Sequence, residues 1–170
     1  MRFLTYDEFC DTVLSLEGDG HWTSELMDDR WSYHAESITI LERLKLDDPT
    51  SVLEVGTMGA PIVSGSDTLD LADRWDFPGK NPTITHDARD TPWPIQDEAS
   101  EVLVALRVYQ HLAPSQKEAT AEAFRVAKRV LIVVDQHYEN PVLPDSKGIS
   151  RDAFIRWVGR PPDIESETGK

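Results

Sequence analysis

Two runs of strand length contain no polar residue: Val102-Leu103-Val104-Ala105-Leu106 and Val130-Leu131-Ile132-Val133-Val134. Strands that read this way are buried on both faces, as in parallel sheets covered by helices on two sides. Between them Pro114-Ser115 opens a helical stretch, with Ser115 and Glu118 at capping-box spacing. Ala119, Ala123, Val126 and Ala127 share one face of that helix, which is expected to end near Arg129. Strands alternating with helices place the chain in the α/β class.

The rest of the chain extends this pattern. Ser51-Val52-Leu53-Glu54-Val55 is short, apolar and followed by the flexible turn Gly56-Thr57-Met58-Gly59-Ala60-Pro61. Ser66 to Ala72 and Pro82 to His86 are weaker strand candidates. Upstream, Thr5 and Glu8 have capping-box spacing, and Tyr6, Phe9, Cys10, Val13 and Leu16 recur at helical intervals. Gly18 and Gly20 break that helix, and a second runs from about Ser24 to Leu46, closed by Asp47-Asp48-Pro49. A last short helix is expected from Ser150 to about Val158, stopped by Gly159. The organisation is one domain: an N-terminal helical segment over 1–49, an α/β core over 50–160, and a polar tail over 161–170.

Composition narrows the functional classes. Asp plus Glu number 31 against 17 Lys plus Arg, a formal charge of −14, which is a poor match for a phosphate backbone and argues against nucleic acid. No apolar run approaches the roughly 18 residues of a membrane span. Cys10 is the only cysteine, and His21, His34, His86, His111 and His137 form no recognisable ligand spacing, so no metal is expected. The N-terminus lacks an apolar run of signal-peptide length, and a reducing, cytoplasmic setting is expected.

Val52-Leu53-Glu54-Val55-Gly56 resembles the first motif of class I S-adenosylmethionine-dependent methyltransferases, an acidic residue at a strand end before a glycine turn. A second stretch is more specific. His86-Asp87-Ala88-Arg89-Asp90-Thr91-Pro92-Trp93-Pro94, continuing to Arg107-Val108-Tyr109-Gln110-His111-Leu112, resembles the run from the third strand into the fourth in that family. The resemblance covers about residues 50 to 137. It implies a Rossmann-like, doubly wound parallel sheet of five strands in the order 3-2-1-4-5, with ligands bound beyond the carboxyl ends of the strands. Two departures qualify it. Met58 and Ala60 replace the second and third glycines, with Gly59 out of phase. Only about eight residues separate Gly59 from Thr68, too few for a first helix of roughly three turns. That helix is expected to be missing or reduced, and the tail is too short for the terminal strand pair of the family.

The resemblance assigns candidate roles. S-adenosylmethionine is the implied cofactor, with Glu54, Gly56, Gly59, Asp70, Asp73, Asp87, Ala88 and Trp93 as its candidate contacts. Glu54 would face the ammonium group of the cofactor, or else satisfy the amides of its own turn. Asp70 and Asp73 compete for the ribose diol, to which a bidentate carboxylate is suited. Asp87 and Ala88 lie where the adenine amino group is read, Asp90 braces that turn, and Trp93 either walls the pocket or is a core tryptophan. Arg107, Tyr109 and His111 are the candidate catalytic residues, with His111 the natural base and Arg107 suited to an acidic substrate. His137 is a weaker base candidate. Trp22, Trp31, Tyr33 and His34 either cover the site or pack on the sheet. Two functions follow: a small-molecule methyltransferase, or a methyltransferase-like scaffold that partners another protein. A nicotinamide enzyme is disfavoured, because no Gly-x-Gly-x-x-Gly is present. The fifth strand is left at a sheet edge, which the segment 141–159 or a second copy in a homodimer is expected to cover.

Overall fold

The computed structural model describes residues 2–15, 24–45, 51–71, 82–138 and 145–166, with the backbone alone for 24–26. Among the described residues there are seven strands: β1 (Arg2–Phe3), β2 (Val52–Val55), β3 (Val63–Ser64), β4 (Asp67–Asp70), β5 (Ile84–Thr85), β6 (Ser100–Leu106) and β7 (Ala127–Val133). The helices are α1 (Tyr6–Leu14), α2 (Ser24–Arg43), α3 (Gln116–Val126) and α4 (Arg151–Val158), with a 3-10 turn at Tyr109–His111. β5, β4, β2, β6 and β7 form a five-stranded sheet in that order, parallel at every pairing. Counting only these five in chain order, the arrangement is 3-2-1-4-5, as the sequence predicts.

The alternation along β2 and β6 divides the core. Leu53, Val55, Leu103 and Ala105 face Ala119, Ala123 and Val126 of α3, and Phe154 and Trp157 of α4 pack against the same cluster. Val52, Val102 and Val104 face the other way, onto Leu41 and Ile38 of α2. Helices therefore cover both sheet faces, which is why strands without polar residues are stable here. α1 reaches the body of the protein through Phe9 and Val13, which bury against Ala60, Met58 and Trp31. Among the described residues no helix is long and apolar enough to cross a membrane.

Between β2 and β4 there is no helix, in line with the residue count. The chain turns at Gly56, runs through β3 and enters β4 directly. β3 pairs antiparallel with β1, Phe3 opposite Val63, in a small second sheet that the sequence does not suggest. Ile62 and Val63 pack with Phe3 onto the α2 side of the main sheet, so this loop supplies apolar cover where a crossover helix would lie.

Local signals hold at three helix ends and fail at two. Thr5 and Glu8 form the capping box at α1. Ser150 caps α4 through the Ala153 amide, and Gly159 ends it in the left-handed conformation at φ 81°. Ser115 makes no capping bond through its side chain. α3 also stops earlier than the expected Arg129: Ala127 is already extended, and Lys128 and Arg129 belong to β7.

Candidate functional site

The turn after β2 is the centre of the site. Gly56 adopts φ 71°, a conformation side chains resist, and a Cβ there would lie 2.4 Å from Val108 Cγ2. Its amide donates to the Leu69 carbonyl at 3.0 Å, which ties the turn to the end of β4. Met58 (φ 52°) and Gly59 (φ 83°) continue in the left-handed region. Asp70 closes the arrangement: its carboxylate accepts from the Met58 amide and from its own neighbour Leu71, each at 2.8 Å. Burial pushes the Asp70 carboxyl up from its ordinary value, against the lowering effect of those two amides.

Glu54 is buried at 2% exposure. Its two oxygens accept from the Ile62 amide (2.8 Å), the Val63 amide (2.9 Å) and the Ser66 hydroxyl (2.7 Å). The carboxylate thus satisfies the amides of its own crossover loop. Burial raises its pKa to about 7, with the three donors working in the opposite direction.

Asp87 accepts from the Arg89 amide at 3.0 Å and pairs with the Arg89 guanidinium. The Asp90 amide donates to the Asp87 carbonyl at 2.9 Å, and the Asp90 carbonyl meets His86 Nε2 at 2.7 Å, so Asp90 braces the turn. Ala88 is buried, and its carbonyl accepts the Trp93 indole N–H at 3.1 Å. Trp93 itself belongs to the main core. Asp73 lies outside the described residues, as does Trp22.

Of the candidate catalytic residues, Tyr109 is fully buried with its hydroxyl donating to the Ala119 carbonyl at 3.0 Å. Burial drives its pKa far above the ordinary tyrosine range. His111 is half-buried, its Nδ1 lies 2.8 Å from Ser146 Oγ, and its ring meets Tyr138 edge-on. Burial, then the charge of Arg107, lowers the His111 pKa. Arg107 follows β6 at φ 62°, 3.8 Å from Asp135 and 5.9 Å from the centre of the Tyr33 ring. His137 lies beyond β7, where its amide donates to Asp135 at 2.9 Å.

Of the cofactor and catalytic candidates, Glu54 and Gly56 line a cleft at the carboxyl ends of β2 and β6, whereas Asp70, Asp87, Ala88, Trp93, Arg107, Tyr109 and His111 are not among its lining residues. It is lined by Glu54, Gly56, Thr57, Val104 and Leu106 from below and by Arg30, Tyr33 and His34 of α2 from above. It is partly open to solvent, and the space within it for the centres of water molecules is about 20 Å³, room for roughly one water. His34 is 4% exposed, and burial together with the Arg30 charge lowers its pKa to about 3. Its Nδ1 has no hydrogen-bond partner among the described residues, nor has Gln110 Oε1 in the turn after β6. Arg30 is absent from the sequence-based candidates. The signal for it is the spacing Arg30, Tyr33, His34, which puts three polar side chains on one face of a helix.

The chain matches no family profile, and no curated protein matches it. Solved structures do resemble it. A "putative methyltransferase" from Bacillus halodurans aligns at TM-score 0.53 and 18% identity, over 73% of this chain and 67% of that one. A chain from the complex of the Haloferax volcanii Trm112 methyltransferase activator with a "putative methyltransferase" aligns at TM-score 0.53 and 13% identity, over 92% of this chain and 75% of that one. The fold of this protein is therefore that of the class I methyltransferases.

Proposed function

We propose that this protein is an S-adenosylmethionine-dependent methyltransferase acting on a small molecule. The observation that carries the reading is the pairing of turn and acid. A left-handed glycine after β2 and a carboxylate at the end of β4 meet through the Met58 amide, at the carboxyl ends of adjacent strands. Open α/β sheets bind their ligands at such ends.

The residues present suit the cofactor chemically. Gly56 and Gly59 let backbone approach it closely, and Asp70, with Asp73, offers carboxylate oxygens to a ribose diol. Asp87 and Ala88 lie where an adenine amino group would be read, and Trp93 holds that turn in place. Glu54 shapes the loop beside the ammonium group. Bound S-adenosylmethionine supplies an electrophilic methyl group on a sulfonium. The chain then has to align an acceptor and exclude water, and for a weak nucleophile it has to take up a proton. His111 is the group at the end of β6 able to do the last, with Arg107 beside it and Tyr109 anchoring that turn from the core. A reducing, cytoplasmic setting agrees with the lone Cys10.

A second reading has its own support. Glu54 and Asp70 spend their oxygens on protein donors, Asp87 pairs with Arg89, and the cleft leaves about 20 Å³ for the centres of water molecules. A scaffold that partners another protein would have these properties, and the Haloferax volcanii complex is a case of this fold bound to a protein.

Titration calorimetry with S-adenosylmethionine and S-adenosylhomocysteine separates the two. The methyltransferase reading expects micromolar binding that Asp70→Asn weakens by about tenfold, the loss of one charge-assisted contact. Absence of heat and of thermal stabilisation up to millimolar ligand would leave the scaffold.

A further inference from the structure

We propose that Arg30, His34 and Arg107 form an oxyanion subsite at the end of β6, and that it receives the carboxylate of a small methyl acceptor. The inference rests on the methyltransferase reading and names its substrate class. It begins from charge. The chain carries a formal charge of −14, yet cationic and donor groups converge on this cleft. Arg30, Tyr33 and His34 line it, and Arg107 stands over the Tyr33 ring at 5.9 Å.

The second observation is unsatisfied hydrogen bonding. Buried polar groups in folded proteins are nearly always paired. Two in this cluster have no partner among the described residues: Nδ1 of His34, whose residue is 4% exposed, and Nε of Arg107. Both are donors when His34 carries its proton on Nδ1, and a carboxylate has lone pairs for both. A guanidinium and a carboxylate also match in shape.

Among the described residues, neither Glu54 nor Asp135 hydrogen-bonds these two atoms. Glu54 lines the same cleft, but its two oxygens already accept from Ile62, Val63 and Ser66. Asp135 approaches Arg107 to 3.8 Å, beyond hydrogen-bond length. Asp70 ends β4, on the opposite side of β2 from Arg107, which follows β6.

Benzoate is the probe, with benzamide as its neutral match, on the full chain labelled at the histidine side chains. The His34 ring resonances report binding, and S-adenosylhomocysteine is titrated in parallel. Benzoate is expected to shift His34 whether or not S-adenosylhomocysteine is present, and benzamide is not. Arg107→Gln and Arg30→Gln should each weaken benzoate by about tenfold while far-UV dichroism stays unchanged. Equal responses to benzoate and benzamide, or none, overturn the subsite even if S-adenosylhomocysteine binds. Displacement of benzoate by S-adenosylhomocysteine overturns the acceptor assignment, because the donors then hold the cofactor's own carboxylate. Benzoate binding with no binding of S-adenosylhomocysteine upholds the oxyanion subsite and overturns the methyltransferase reading.

Discussion

Glu54 and His34 line the same cleft and titrate in opposite senses. Glu54 is raised from 4.5 to about 7, so the folded state holds its proton more tightly than the unfolded chain does. Its contribution to stability is full below pH 4.5 and is lost as pH rises toward 7. His34 is lowered from 6.5 to about 3, so its contribution is full above pH 6.5 and is lost as pH falls toward 3. The effects are on the order of 3 kcal/mol for Glu54 and 5 kcal/mol for His34. Stability is therefore expected to rise from pH 3 to 4.5, stay level to 6.5, and fall toward 7. Urea unfolding across pH checks this. His34→Phe should leave only the fall and Glu54→Gln only the rise, whereas a wild-type curve still climbing at pH 7 would contradict it. The carboxylates at the strand ends were visible in the sequence. That Glu54 satisfies amides of its own loop was one of its two sequence readings; that Asp70 takes the Met58 amide was not among them, because that segment has no periodicity to place its amides.

At the scale of elements, the boundary between α3 and β7 shows what pattern alone misses. Ala127 continues the apolar stripe of the helix, and Lys128 and Arg129 look like a basic helix end. Register decides otherwise. Ser100 pairs with Ala127 and Val102 with Arg129, so β6 begins earlier than its apolar run and draws the chain out of the helix. The Glu98 amide also takes the Arg125 carbonyl at 2.8 Å. β1 and β3 escaped for a similar reason: each is two residues long, and their pairing spans most of the N-terminal segment. Arg125 is the fastening between α3 and the proline-rich turn. It donates to the Ile95 carbonyl (2.7 Å), the Trp93 carbonyl (3.2 Å), Asp97 (2.7 Å) and Glu122 (2.6 Å). Glu122 in turn accepts from the Trp93 amide at 2.7 Å. Arg125→Met leaves those acceptors unpaired and should cost about 3 kcal/mol, read as a lower urea midpoint with an unchanged slope. Asp97→Ala, at an exposed partner, should cost less than about 1 kcal/mol.

Across the whole molecule, strand order was the most legible property. Apolar runs of strand length with helices between them point to a parallel sheet covered on both faces, and the order came from the resemblance carried by Val52–Gly56 and His86–Leu112. Charge has a global effect too. With 31 acidic residues against 17 basic ones, repulsion opposes the compact state. Raising sodium chloride from about 10 mM to about 300 mM, where screening acts within a few ångströms, should raise the melting temperature. A fall would mean that ion pairs such as Arg151–Glu165 outweigh the repulsion. The helix-free crossover has a kinetic consequence as well. Two amides and a hydroxyl, spread over Ile62, Val63 and Ser66, are held by one buried side chain, so they exchange with solvent as a single opening unit. A fluctuation that releases Glu54 is expected to loosen the loop from Ile62 to Ser66 and uncover the floor of the cleft in the same event.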